Sequence, residues 1–493
     1  MFRKKITALL LLSTMIISLA SCNTDNKNND KNTSPQETTV QEPTVPEKGH
    51  IGTKGEYELA TNISDGAILH AWCWSFNTIK ENMEDIAKSG YTSIQTSPIS
   101  ECKVGENGGM QIQDTDESAN NGKWYYHYQP IDYKIGNYQL GTKEEFTAMC
   151  DEADKYGISI IVDAVVNHMT SDVNAITENF FNNVSNPFHE NGEITDYSDR
   201  EQVTQYKMIN LTDLNTQNPE VQQYVLKFLK ECVDAGADGF RYDAMKHVEL
   251  SDDDKAYASD FWKVVLDNGS KFQYGEILQG GADRGRFYID QLDVSMTASK
   301  YGEKIRYAVL NKSLKPVYWN DYSVPLVEGD HLVTWVESHD NYCNDGNYMN
   351  MNDQNIKWAW SLICARDGGT PLFFSRPNGA DTENQWGNNE IGKVGSDLFK
   401  DAEVVAVNKF RNHMAGLDET LTNPMDNEEV AMIERGDKGA VIVNVSDKDV
   451  KLKNAKTVLA DGVYKDKVTA NEFTVKSGKM NGTVKVGQIV TLY

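Results

Sequence analysis

The chain has 493 residues, too many for one ordinary domain and enough for two or three. Lys plus Arg number 48 against 73 Asp plus Glu, a formal net charge of −25, which opposes nucleic acid or an anionic membrane surface as a partner and favours a neutral or cationic ligand. The 9 Trp and 23 Tyr suit sugar faces, although most such rings in any globular protein pack the core.

The N-terminus, "MFRKKITALLLLSTMIISLASC", has a basic start, an apolar run from Ile6 to Ala20 and small residues before Cys22, the pattern of an export signal. Its ending "LASC" resembles a bacterial lipobox, so residues 1–22 read as a leader with Cys22 as the lipidated first residue of the mature protein. A secretory signal cleaved nearby, or a plain membrane anchor, are the alternatives. Residues 23–55 are rich in Asn, Thr, Pro and Glu and hold no Phe, Trp or Tyr, so they read as a disordered tether. The expected location is extracytoplasmic, at the cell surface or membrane through a lipid anchor, or released. Six cysteines remain after Cys22, with no CxxC or Cys/His zinc spacing. Disulfides and buried free thiols are equally compatible with them.

From Gly66 to Pro377 short apolar runs alternate with helical patterns. Eight strand candidates follow one another: "AILHAW", "TSIQTSP", "SIIVDAVVNH", "DGFRYDA", "FQYGEIL", "LDVSMTAS", "LVTWVESHDN" and "PLFFSR". Between them lie "TIKENMEDIAKSG", "KEEFTAMCDEADKYG" and "PEVQQYVLKFLKECVDAG", the last with Val221, Val225, Phe228, Leu229 and Cys232 on one helical face. Eight such units predict a (β/α)8 barrel of class α/β. Residues 169–218, full of Asn, Asp and Ser, are too long for an ordinary strand-to-helix loop and predict an insertion after the third strand. The expected division is a barrel over 56–168 and 213–416, an inserted subdomain over 169–212, and a C-terminal all-β sandwich over 417–493, where "EEVAMIERGDKGAVIVNVS" and "TVKVGQIVTLY" read as strands and hairpins.

The strand ends carry the charge. Asp163, Asn167 and His168 close the third strand, Arg241, Asp243, Lys246 and His247 the fourth, Glu276 the fifth, and His339 and Asp340 the seventh. In a parallel barrel the C-terminal strand ends form one face, so these residues converge on one pocket. Carboxylates crowded into an enclosed cleft push one another's pKa values apart, leaving one as a proton donor while another stays ionised. Glycosidic hydrolysis requires two carboxylates in such separated roles.

Four motifs, "DAVVNH" at 163–168, "GFRYDAMKH" at 239–247, "YGEIL" at 274–278 and "VESHDN" at 336–341, stand in the order and spacing of glycoside hydrolase family 13. The chain resembles an α-amylase of that family, of the secreted Bacillus subtilis type, and "WSFNT", "IQTSPI", "YQPIDYKIGN", "DLNTQNPEVQ" and "TPLFFSRP" extend the likeness over nearly the whole mature chain. The resemblance implies Asp243 as nucleophile, Arg241 on the same strand face keeping it ionised, and Glu276 as general acid and then base. It implies Asp340, His168 and His339 on the sugar hydroxyls and Tyr128 stacking beneath the ring with Gln129 beside it. Trp124 and Lys246 are weaker ligand candidates. A structural calcium ion is implied between insertion and barrel, held by the Asn167 side chain, the Asp213 carboxylate and the backbone carbonyls of Thr204 and His247, an oxygen set suited to Ca²⁺. Ser338 stands where chloride-dependent members carry Asn, so chloride activation is not implied. The expected function is retaining endo-hydrolysis of α-1,4-glucans, starch and malto-oligosaccharides, by a monomer. The alternatives are a glucanotransferase, α-glucosidase or maltogenic enzyme of the same family, or a non-catalytic starch-binding lipoprotein.

Overall fold

A computed structural model describes residues 53–105, 108–114, 122–325 and 327–493. The leader, Cys22 and all but the last residues of the tether lie outside the described residues. Eight parallel strands close into a barrel: β1 Ile68–Ala71, β2 Ser93–Thr96, β3 Ser159–Ala164, β4 Gly239–Tyr242, β5 Phe272–Gly275, β6 Ser295–Thr297, β7 Leu332–Trp335 and β8 Thr370–Phe374. Each pairs with its successor, and β8 returns to β1. Strands covered on both faces read as continuous apolar runs, which is why β1, β7 and β8 are buried at every position.

The helix Pro219–Asp234 shows how the outer ring is specified. Asn218 caps its first turn by accepting from the Glu220 N–H, and Pro219 occupies the first position, where no amide donor is needed. Val221, Val225, Phe228, Leu229 and Cys232 are buried against the barrel, each large side chain contributing roughly 1.5–3 kcal/mol. Lys143–Tyr156 opens on a reciprocal capping box, Thr142 with Glu145, and closes at Gly157 with φ 71°. The run read as one helix over "TIKENMEDIAKSG" is two, Phe76–Glu81 and Met83–Lys88, broken at Asn82. Asn82 turns its side chain back to the Thr78 carbonyl at 2.8 Å, competing with the helical ladder.

The third strand is shorter than its apolar run. β3 stops at Ala164, and His168–Met169 leaves the barrel to pair antiparallel with Thr212–Asp213. This two-stranded stem brackets the insertion, whose helices are Glu178–Asn183 and Arg200–Gln205. After the helix Ala402–His413 the chain forms two four-stranded antiparallel sheets. β9 Glu419–Thr422, β10 Val430–Arg435, β11 Gly439–Asn444 and β16 Ile489–Leu492 make one; β12 Val450–Lys456, β13 Gly462–Lys465, β14 Glu472–Lys476 and β15 Lys479–Val484 make the other. One face of β10 and β11, with Ile433 and Val441, joins the barrel core, while Val430, Ile442 and Phe473 fill a core between the two sheets. Arg366, nearly buried, bonds Glu419 at 2.7 Å and so ties the barrel to β9.

Candidate active site

The site is organised around one guanidinium. Strand register sets Arg241 of β4 opposite Asp163 of β3 and Tyr274 of β5. Nη1 of Arg241 bonds Asp163 Oδ1 and Asp243 Oδ1, both at 2.7 Å, and Nη2 reaches Glu276 Oε2 at 3.0 Å. Arg241 and Asp163 are buried, whereas the Asp243 and Glu276 side chains keep 10% and 14% of their surface open to the cleft.

The backbone aims these groups. The Asp243 N–H donates to the Ala164 carbonyl at 3.0 Å and the Glu276 N–H to the Tyr242 carbonyl at 2.9 Å, so both residues continue the ladder one step past their strands. Ala244 then takes a left-handed conformation, φ 49°, and points its N–H at Glu276 Oε2, 3.1 Å away. A non-glycine residue costs on the order of 1–2 kcal/mol there, strain of the kind that collects at functional sites. Gly275 clears the way, because a Cβ at that position would collide with Met245 of the turn that follows Asp243.

His339 and Asp340 sit beyond β7, on the first turn of the helix His339–Asn344, and not on the strand end itself. Ser338 and Asn341 form a capping box that sets this turn, and the preceding Glu337 is gripped by Arg376 at 2.8 and 2.5 Å. The His339 ring stacks on Tyr128, with centroids 4.9 Å apart and planes at 15°, and its Nε2 lies 3.4 Å from Asp340 Oδ2. Tyr128 donates to Asp163 Oδ2 at 2.8 Å. His168 Nε2 lies 3.1 Å from the Tyr128 carbonyl and 3.9 Å from Asp243 Oδ2.

Burial keeps the imidazoles neutral: the pKa of His339 falls to about 3, with Arg241 adding to the effect, and that of His168 is lowered although Asp243 opposes the shift. The carboxyls whose pKa values are raised are Asp163 and Asp340. Burial pushes Asp163 up to about 7 against the pull of Arg241, and enclosure and then Glu276 raise Asp340 well above the usual carboxylate range. The raised groups are thus the deep Asp163 and the cleft-lining Asp340.

These side chains line a cleft of about 510 Å³. Asp243, Glu276, Asp340, His168, His339, Tyr128, Gln129, Trp124, Lys246 and His247 all border it, while Arg241 lies beneath.

Residues 75–276 match the family model of the alpha-amylase catalytic domain. An alpha-amylase of Butyrivibrio fibrisolvens is 43% identical over 470 residues, covering 87% of this chain and 47% of that protein. One of Clostridium acetobutylicum is 38% identical over 449 residues, covering 88% and 55%. Residues 75–276 are thus similar to the alpha-amylase catalytic domain. The chain spans about half the length of these two curated relatives. Among solved structures, wild-type alpha-amylase I from Eisenia fetida superposes with a TM-score of 0.69 at 20% identity, covering 87% of this chain and 97% of that one. The gamma-CGTase of alkalophilic Bacillus clarkii gives 0.67 at 17%, covering 88% and 71%. At those identities the likeness concerns the fold alone.

The barrel and insertion bring some groups to the cleft that the motifs did not single out. Tyr197, Met208, Ile209 and Leu211 from the insertion, and Leu278 after β5, form an apolar wall. They belong to loops without periodicity, so nothing in the sequence marks them. Asp163 had no assigned role, yet it is the innermost partner of Arg241, and the alignment of β3 with β4 is the signal that finds it.

The oxygen donors named for calcium lie on the stem, on the helix Arg200–Gln205 and on the turns after β3 and β4. Asp213, on the stem, is buried, and that burial raises its pKa well above the usual range, with only Lys207 opposing. Its Oδ2 lies 2.7 Å from His189 Nδ1, a neighbour the motifs did not reveal. Asn167 turns its amide nitrogen toward His168 Nδ1 at 3.4 Å, directing its carbonyl oxygen the other way. The Thr204 carbonyl accepts from Gln205 Nε2 at 3.0 Å, which leaves a second lone pair. Val203 O and His247 Nδ1, 2.9 Å apart, join the helix Arg200–Gln205 to the turn after β4. A buried carboxylate without a Lys or Arg in contact is costly unless a cation accompanies it, so these residues fit a hard cation. Among the described residues no cluster of three or more His, Cys, Asp or Glu side chains is arranged to hold a metal. The six described cysteines are free thiols.

Proposed function

We propose that this protein is a calcium-stabilised, retaining endo-hydrolase of α-1,4-glucosidic bonds in starch and related α-glucans. The observation that carries the reading is the sharing of one guanidinium by Asp243 and Glu276. A single planar fork bonded to both carboxyl groups keeps them near each other on one side of the cleft; retention requires a separation of roughly 5–5.5 Å and inversion roughly 6.5–9.5 Å. Asp243, bonded by Arg241 at 2.7 Å, attacks the anomeric carbon while Glu276 protonates the departing glycosidic oxygen. Glu276 then takes a proton from the water that releases the glycosyl group from Asp243. The neutral His339 can donate and accept hydrogen bonds to sugar hydroxyls, Asp340 can bond them from the cleft wall, His168 is held beside Asp243 by the Tyr128 carbonyl and the Asn167 amide, and the Tyr128 ring gives the sugar an apolar floor. The bound ion would supply stability, through Asn167, Asp213 and the carbonyls of Thr204 and His247, by binding only the folded chain.

Support for α-glucan as substrate comes from the curated relatives, both named alpha-amylase. Product analysis on soluble starch tests it: mixed malto-oligosaccharides from the earliest times are expected. Glucose alone or lengthened chains would assign the cleft to an α-glucosidase or a glucanotransferase, and no products at all would make it a binding protein. Export and lipid anchoring through Cys22 are part of the proposal on sequence grounds only. The expected outcome is a diacylglyceryl-modified Cys22 at the mature N-terminus, read by mass spectrometry of the membrane fraction; an unmodified N-terminus would remove the anchor.

A further inference from the structure

Arg200 opens the inserted helix Arg200–Gln205, and its side chain reaches across to the barrel. Nε and Nη2 grip the Asp253 carboxylate at 3.1 and 2.8 Å. Nη1 donates to the Lys246 carbonyl at 2.6 Å and the Ala282 carbonyl at 3.4 Å, and Nη2 to the Val248 carbonyl at 3.2 Å and the Tyr288 hydroxyl at 3.0 Å. The guanidinium has five donors in a rigid fork, and every nitrogen is engaged. The side chain is 12% exposed and that of Asp253 2%.

The acceptors belong to two loops and to the helix Gly285–Leu292, which carries Tyr288. Lys246 to Asp253 follows β4, and Ala282 follows β5. The same clasp holds the insertion, because the Ala282 N–H donates to the Tyr197 carbonyl at 3.2 Å. Lys246 and Tyr197 both border the cleft; Lys246 lies in the turn whose Ala244 N–H donates to Glu276 Oε2 at 3.1 Å, and Tyr197 is held by the loop that follows Glu276. They therefore stand on the side of the cleft served by Glu276. In the hydrolysis described above Glu276 acts on the departing oxygen, so that side receives the leaving part of the substrate.

We propose that Arg200 is a positioning residue for the leaving-group side of the cleft, setting Lys246 and Tyr197 against the sugar units beyond the scissile bond; this rests on the hydrolase reading. A residue needed only for folding would affect every substrate alike. A residue that positions one side affects only substrates that fill it.

The test compares maltoheptaose, which fills both sides, with 4-nitrophenyl α-maltotrioside, whose leaving group is a single phenol. Arg200→Met should raise KM for maltoheptaose by about tenfold and shift its cleavage positions, while kcat/KM on the aryl substrate changes by less than about threefold. Arg200→Lys, which keeps the charge but not the fork, should recover part of the loss on maltoheptaose. Equal losses on the two substrates, or no loss on maltoheptaose, would overturn the proposal. If Arg200→Met fails to fold, Asp253→Asn, which weakens the clasp at similar volume, must give the same split. Absence of turnover of either substrate by the parent protein would sink the hydrolase reading and the proposal with it.

Discussion

At the floor of the cleft three carboxylates surround Arg241, every group is fixed by strand register, and little surface is exposed. Over the same cleft, the insertion presents Ile209, 78% exposed at φ 53°, followed by Asn210 at φ 59°. One region spends burial and charge on holding a few atoms still; the other spends backbone strain on offering an apolar side chain to solvent. The difference separates bond chemistry from grip: substitutions in the floor should act on kcat, and those in the overhang on KM.

The largest effects should come from the floor. Asp243→Ala should lower kcat on starch by on the order of ten-thousand-fold with the fold intact, as loss of a nucleophile does. Glu276→Gln should lose roughly 10²–10⁴-fold on natural glucans, yet on an α-glycoside with a good leaving group it should still glycosylate Asp243, and added azide should restore turnover. A Glu276→Gln enzyme that hydrolyses starch at the parental rate would take the acid role away from the floor.

Next in size are stability effects at the joints. Truncation after Gly416 removes Glu419 from Arg366 and strips Ile433 and Val441 from the barrel core, so the truncated chain should fail to fold before any change in mechanism appears. A folded truncation with a selective loss of kcat would bring a C-terminal residue to the cleft. Asp213→Ala should lower Tm and weaken its dependence on added calcium, since a ligand held only by the folded chain stabilises by mass action. A variant melting like the parent with and without chelator would remove Asp213 from the ion site. Ile209→Ser, in the overhang, should raise KM by about fivefold, or ~1 kcal/mol, and leave Tm unchanged.

The smallest expected effect is a slope. His127 is fully buried, and burial lowers its pKa to about 4. Between pH 6.5 and 4 the unfolded chain binds a proton there that the folded chain does not, so this residue makes stability fall as pH falls through that window. His127→Gln should flatten the acid limb of the stability curve by up to ~1.4 kcal/mol per pH unit, read by denaturant unfolding at stepped pH.

Much of the floor could be read from the chain because its groups sit next to strands: Arg241 and Asp243 share one strand face two residues apart, and Glu276 follows β5 directly. His339 and Asp340 were readable as neighbours of β7, but not their place on a new helix, because the capping pair Ser338 and Asn341 is hidden inside the motif. The overhang was readable only as an insertion. Its helices are six residues each, too short to establish a period, and the strained turn at Ile209 and Asn210 carries no glycine to announce it. His189 and Arg200 escaped for another reason: their partners, Asp213 and Asp253, lie far along the chain, and only folding joins them.

The central claim is that Asp243 attacks and Glu276 protonates. Proton NMR of the first product, recorded on maltoheptaose before mutarotation, tests it most directly. The α-anomer must appear first and convert slowly to the equilibrium mixture. If the β-anomer appears first, water attacks the sugar directly, and the nucleophile role assigned to Asp243 is wrong.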